Sequence, residues 1–101
     1  AKLSGVRYKV ISTDKNNGKI RVVFIAPIDH VNCYLNIAML DDMNNSTSIN
    51  IISMKCNGVD VNGTDPLEFG PFTIKTNQKI VLDVVTDAKG YFGSEVKVIC
   101  K

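Results

Sequence analysis

Hydrophobic and polar residues alternate along much of the chain with a period of two. In residues 6–10, for example, Arg7 and Lys9 separate three apolar positions. This period places the apolar side chains on one face of an extended backbone, whereas an amphipathic helix repeats every three to four residues. The segments with this pattern are predicted strands, and they cover residues 6–10, 19–26, 33–39, 49–56, 80–86 and 95–100.

Turn-forming residues separate these segments. Asn17-Gly18 tolerates positive φ and is expected to close a hairpin between the first two strands. Polar residues 41–47 predict an exposed loop, and Gly70-Pro71 predicts a bend or bulge between two short extended pieces. Residues 49–56 are apolar on both faces, which favours a position inside a sheet.

A helix is the alternative for residues 31–40. Leu35, Ala38 and Met39 follow a helical spacing there, although the period of two favours a strand.

Seven or eight short strands in a chain of 101 residues predict an all-β fold, an antiparallel immunoglobulin- or fibronectin-like β-sandwich. Val and Ile together number 23 against five Leu, a bias typical of pleated surfaces. The chain has no Trp, and no Tyr lies two residues before a late Cys, so the likeness concerns architecture and no particular family. We expect residues 1–101 to be a single domain. Because the chain begins with Ala1, we expect it to be a module of a larger protein.

Charge and hydropathy limit the classes of partner that we expect. Twelve Lys and Arg against ten Asp and Glu give a net charge of +2 without a dense basic cluster, so nucleic acid is not an expected partner. No apolar run approaches the roughly 20 residues of a membrane span, so we expect no membrane insertion. These features do not indicate a compartment or an oligomeric state.

The chain has three cysteines, Cys33, Cys56 and Cys100, and one histidine, His30. This set lacks the spacing of a zinc site, and we expect neither a metal nor another cofactor. At most one internal disulfide can form, and either Cys33 or Cys56 is a candidate partner of Cys100. The other interpretation is that all three are buried thiols, as is common for reduced cysteine.

We expect no catalytic activity. His30 is the only imidazole, and it precedes Cys33 by three residues, a spacing that points the two side chains to opposite faces of a strand. The pairs Asp41-Asp42 and Asp60 with Asp65 are interpreted as solvated turn residues, because no apolar pocket accompanies them.

The predicted function is a non-catalytic β-sandwich module that serves as interdomain support or as a protein-interaction surface. Its partners would be neighbouring domains or another protein, met through an edge strand or through end loops. The candidate binding residues come from two loops, and they are Asp41, Asp42, Asn44, Asn45, Lys89, Tyr91 and Phe92. The alternative is a carbohydrate-binding module in which Tyr34, Tyr91 and Phe92 stack on a glycan.

Overall fold

The computed structural model describes residues 9–14, 17–40, 43, 45–88 and 93–101, without the side chains of residues 9–14, 40, 93 and 94. The described residues form nine strands and no α-helix, so the all-β prediction is confirmed and the helical alternative for residues 31–40 is wrong. The strands are β1 (Lys9–Asp14), β2 (Lys19–Ile25), β3 (His30–Leu40), β4 (Ser46–Ser48), β5 (Ile51–Cys56), β6 (Val59–Asp60), β7 (Phe69–Ile74), β8 (Lys79–Thr86) and β9 (Gly93–Cys100). Seven of them have six or more residues, while β4 has three and β6 has two.

The strands form two antiparallel sheets. The first sheet has the order β1-β2-β8-β5-β6, and the predicted hairpin of the first two strands is present in it. In the second sheet β3 is central. Its residues pair with β9 on one side, and with β7 and then β4 on the other.

One hydrophobic core lies between the sheets. Alternate residues of β2 and β8 point into it, as the sequence pattern predicts, and so do alternate residues of β3 and β9. The buried residues of these four strands include Ile20, Val22, Phe24, Cys33, Leu35, Ile37, Ile80, Leu82, Val84, Val96 and Val98. Burying a side chain of this size contributes about 1.5–3 kcal/mol, so this shared core holds the two sheets together.

The turn before β2 depends on Gly18, whose φ is +68°. The Gly18 carbonyl oxygen accepts two hydrogen bonds from Thr86, one from its backbone N–H and one from its side-chain hydroxyl, both 2.9 Å long. Because Thr86 is the last residue of β8, these bonds fix the start of β2 against the end of β8.

Two local expectations differ from the structure, and a third is confirmed. Ser46 and Thr47, placed in the loop 41–47 by their polarity, belong to β4, because the backbone of this strand pairs with β3 while its side chains remain exposed. β5 lies between β8 and β6, as its two apolar faces predict, although β6 has only two residues. Gly70-Pro71 lies inside one continuous strand, β7, and its peptide bond is cis.

Candidate functional site

Six of the seven predicted binding residues lie outside the described residues. They are Asp41, Asp42, Asn44, Lys89, Tyr91 and Phe92. Asn45 is described, and it is exposed immediately before β4. A binding surface on these two loops therefore stays a prediction.

Tyr34, a member of the predicted glycan platform, is half-buried on β3. The Nζ atom of Lys101 lies 4.9 Å from the centroid of its ring, which is a cation–π contact. Lys101 also donates a hydrogen bond of 2.5 Å to Oε2 of Glu68, and this bond raises the pKa of the ammonium group. Because Lys101 occupies one face of the Tyr34 ring, at most the opposite face can accept a sugar.

Two of the three cysteines face each other across the ladder between β3 and β9. Cys33 pairs directly with Cys100, and their Sγ atoms are 3.3 Å apart. Both side chains are buried. Cys56 lies in the other sheet, on β5. Of the two candidate partners of Cys100, the structure therefore places Cys33 opposite it.

A neighbouring hydrogen bond identifies the kind of pair that the two cysteines form. The N–H of Lys101 donates to the Asn32 carbonyl at 3.0 Å, which makes Asn32 and Lys101 a hydrogen-bonded pair. Hydrogen-bonded and non-hydrogen-bonded pairs alternate along an antiparallel ladder. Cys33 and Cys100 are therefore a non-hydrogen-bonded pair, the kind in which the side chains approach most closely.

His30 lies beside the two thiols because β3 is irregular at this point. The register of β3 against β7 shifts between His30 and Cys33, and such a bulge interrupts the alternation of faces. A ring nitrogen of His30 and the Sγ atoms of Cys33 and Cys100 all lie within 4.8 Å of one another. The expectation that His30 and Cys33 point away from each other is therefore wrong.

The protonation of this cluster follows from its surroundings. Burial, together with the hydrogen bond with Cys100, raises the pKa of the Cys33 thiol from 9.0 to about 12. The Nδ1 atom of His30 accepts a hydrogen bond of 3.1 Å from the backbone N–H of Asn32. The neutral imidazole therefore carries its proton on Nε2.

One imidazole and two thiolates are a ligand set that Zn²⁺ accepts. However, two sulfur ligands on a tetrahedral zinc, with bonds of about 2.3 Å, are about 3.8 Å apart, and the observed separation is 3.3 Å. A zinc-bound imidazole also usually donates through its other nitrogen, whereas Nδ1 of His30 accepts. The sulfur separation lies between that of two zinc ligands and that of a disulfide, about 2.05 Å, so the acceptor role of Nδ1 is the feature that disfavours a metal centre.

A cleft of about 430 Å³ opens next to this cluster, and His30 lines it together with Asp29, Lys75 and Lys101. The Asp29 carboxylate accepts a hydrogen bond of 2.7 Å from the backbone N–H of Thr76, which lowers the pKa of Asp29. The cleft therefore combines two cationic groups with one carboxylate and gives small polar molecules a place beside His30.

The outer edge of β9 is the second notable feature. Within the described residues β9 pairs with β3 only. The pairs that β3 forms with Val98 and Val96 lie two and four residues back along β9 from the pair of Cys33 and Cys100. Because the two kinds of pair alternate, these two are also non-hydrogen-bonded pairs. The N–H and C=O groups of Val96 and Val98 therefore point away from β3, along an edge of eight residues.

The other strand edges of the described region are shorter or interrupted. Pro71 lies within β7, and β4 and β6 have three and two residues. β1 has a register shift between Ser12 and Asp14. Proline, bulges and short length all hinder the addition of a further strand, so β9 is the edge best suited to accept one.

Comparison of the chain with known protein families, curated proteins and solved structures finds no match. Among the described residues, no helix has the length and apolar character that crossing a membrane requires. The fold and the two sites define an all-β protein with two antiparallel sheets and a buried dithiol, in which β9 is a long strand that no described residue pairs with on its outer edge.

The pairing of β9 with β3 positions both features. Sequence reasoning named Cys33 as one of two candidate partners of Cys100, but it did not identify β9 as an edge. The only sequence signal for the dithiol is the inward position of Cys33 and Cys100 in the alternating pattern of their strands.

Proposed function

We propose that the chain is a non-catalytic, immunoglobulin-like β-sandwich module of a larger protein, and that it serves as an interaction surface. An extended segment from a neighbouring domain or another protein adds to the outer edge of β9. The observation that carries this proposal is the outward direction of the backbone groups of Val96 and Val98.

The strand order supports the immunoglobulin-like architecture. In immunoglobulin-type sandwiches strands A, B, E and D form one sheet, and strands C, F and G form the other. β1, β2, β8 and β5 follow the order A, B, E, D, while β3 and β9 correspond to C and F. Strand G would lie on the outer edge of F, and no described residue takes that place beside β9.

The side chains of β9 indicate which kind of segment fits. Val96 and Val98 face the core, whereas Glu95 and Lys97 are on the opposite face of the sheet. A strand added to this edge continues both faces. The partner segment therefore has alternating apolar and polar residues, with the apolar ones directed into the gap between the two sheets.

The chemistry of the described residues supports a non-catalytic role. A cysteine that attacks an external substrate needs a lowered pKa and access to that substrate, whereas Cys33 is fully buried, its pKa is raised to about 12, and the group that it meets is Cys100 of the same chain. A larger cleft, of about 570 Å³, has only Asp60 and Cys56 as titratable lining groups. It therefore lacks the pair of carboxylates that acid–base hydrolysis uses.

The test removes one outward N–H group. The assay compares the proteins that wild-type and variant residues 1–101 retain from an extract of the source organism. Val98→Pro removes one hydrogen-bond donor from the edge, so we expect this variant to lose the proteins that the wild-type chain retains. Ser48→Pro is the matched control, because it places proline on β4, a different edge of the same sheet, and we expect it to retain them. Circular dichroism shows whether each variant folds.

A second pair of variants keeps the test valid if Val98→Pro unfolds. Replacing the amide of Val98 by an ester removes the outward N–H, and the same change at Lys97 removes one that points to β3. Retention of all partners by the Val98 ester would refute the proposal, as would a failure of the wild-type chain to retain any partner. Slow hydrogen exchange at Val96 and Val98 in the isolated chain would also refute it, because the edge would then already be paired.

A further inference from the structure

We infer that Cys33 and Cys100 are a reversible redox pair, which closes to a disulfide between β3 and β9 by exchange with a small-molecule disulfide such as oxidised glutathione. This inference is independent of the proposed function, because it concerns the β3 side of β9 and not its outer edge.

The geometry brings the two sulfur atoms close to bonding distance. A disulfide bond is about 2.05 Å long, and the two Sγ atoms are 3.3 Å apart. The ladder holds the two backbones in register from Cys33 to Leu40. Small side-chain rotations therefore suffice to form the bond.

The type of pair allows a disulfide bond. Cα atoms of a non-hydrogen-bonded pair are about 4.5 Å apart, which lies within the range of about 4.4–6.8 Å in disulfides. The bond can therefore form without displacing either backbone, and exchange with small thiols opens it again.

The exposed fractions of the two cysteines indicate which thiol reacts first with the small disulfide. Cys100 is 7% exposed and next to Lys101, which lines the cleft, whereas Cys33 is 0% exposed. The Cys100 thiolate attacks one sulfur of the small disulfide, forms a mixed disulfide and releases one small thiol. Cys33 then attacks the sulfur of Cys100 and expels the second small thiol. The two S–H hydrogens leave on the two small thiols, so the protein loses two electrons and the oxidant gains them.

The test equilibrates reduced protein with buffers of varied ratios of reduced to oxidised glutathione, followed by acid quenching, alkylation of free thiols and mass spectrometry. We expect a species with a single alkyl group, on Cys56, and a cross-link between Cys33 and Cys100. The polypeptide itself, without the alkyl group, is then two hydrogens lighter than the reduced chain. Reduced glutathione should reverse the cross-link.

Variants assign the roles. We expect Cys56→Ser to move the midpoint ratio by less than about twofold, since this residue lies in the other sheet. We expect Cys33→Ser to lose the intramolecular cross-link completely and to stop at a mixed disulfide on Cys100. A thiol or mixed disulfide that persists at Cys33 or Cys100 of the wild-type protein under excess oxidant would overturn the inference, as would a cross-link through Cys56.

Zinc provides the last arm of the test. We expect zinc added to the reduced protein to be removed by a competing chelator and to leave oxidation unchanged. One bound zinc that resists the chelator, blocks oxidation and is lost in His30→Ala would instead make the cluster a metal site and overturn the inference.

Discussion

Substituting Gly18 by alanine tests how tightly the first turn is packed against the end of β8. A Cβ atom at this position would lie 2.3 Å from the carbonyl oxygen of Thr86 and 2.7 Å from that of Ala88. Both are backbone atoms, so no side-chain rotation can relieve the overlap. Gly58 is the matched control, because its φ of +83° is similar and no atom lies within 4 Å of an added Cβ.

The expected loss of stability has two parts. Holding a residue with a Cβ in the left-handed region costs about 1–2 kcal/mol, and both variants share this cost. Backbone displacement around an overpacked atom adds about 1–3 kcal/mol, and only Gly18→Ala incurs it. We therefore expect unfolding free energies lower by about 1–2 kcal/mol for Gly58→Ala and by about 2–5 kcal/mol for Gly18→Ala.

Urea denaturation followed by circular dichroism measures both losses, and an unchanged m-value shows that the midpoint shift reports stability. The smaller entropy of unfolded alanine affects both variants equally and cancels in the difference. If Gly18→Ala lost no more stability than Gly58→Ala, the close contact of Gly18 with β8 would be wrong.

Three further predictions concern the core, the surface and the thiols. Ile37→Ala should lower the unfolding free energy by about 2–5 kcal/mol. Ile52 is 60% exposed, so Ile52→Ala should change the unfolding free energy by less than about 0.5 kcal/mol. Equal losses of the two variants in calorimetry would contradict the assigned faces. The ion pair of Arg21 and Asp83, 2.7 Å apart and nearly half exposed on both sides, should give a coupling of about 0.2–1 kcal/mol in a double-mutant cycle, and a coupling above about 2 kcal/mol would show that this pair is not screened by solvent. The pKa of Cys33 rises from 9.0 to about 12 on folding, so the unfolded chain loses this proton first, and stability should fall as pH rises through that window. The unfolding free energy of Cys33→Ala, measured by urea denaturation at alkaline pH, should fall less steeply with pH than that of the wild-type protein. An identical slope would exclude this thiol as the cause.

The alternating pattern predicts strands and their inward faces well, because one buried face is a local property of a strand. Ile80, Leu82 and Val84 share one predicted face of β8, and all three are buried. The same reasoning places Val96 and Val98 in the core. Whether such a side chain faces inward follows from the residues two positions away in the same strand, and this information is local in the sequence.

Features that depend on distant pairing could not be predicted in this way. The irregularity that brings His30 to Cys33 arises in the register between β3 and β7, which are far apart in the chain. Similarly, Ser46–Ser48 forms a strand because β3 offers it backbone partners, and its polar side chains give no sign of this. The two loops predicted to bind a partner remain untested, since nearly all of their candidate residues lie outside the described region.

The central position of β3 has a consequence for the synthesis of the chain. β3 emerges from the ribosome well before β7 and β9, yet its two longest ladders are with these strands. Until β9 has been made, Leu35 and Ile37 lack their neighbours on one side, and unpaired apolar strands readily aggregate. We therefore expect the nascent chain to remain prone to aggregation until residue 100 leaves the exit tunnel, because β3 cannot complete its ladder with β9 before then.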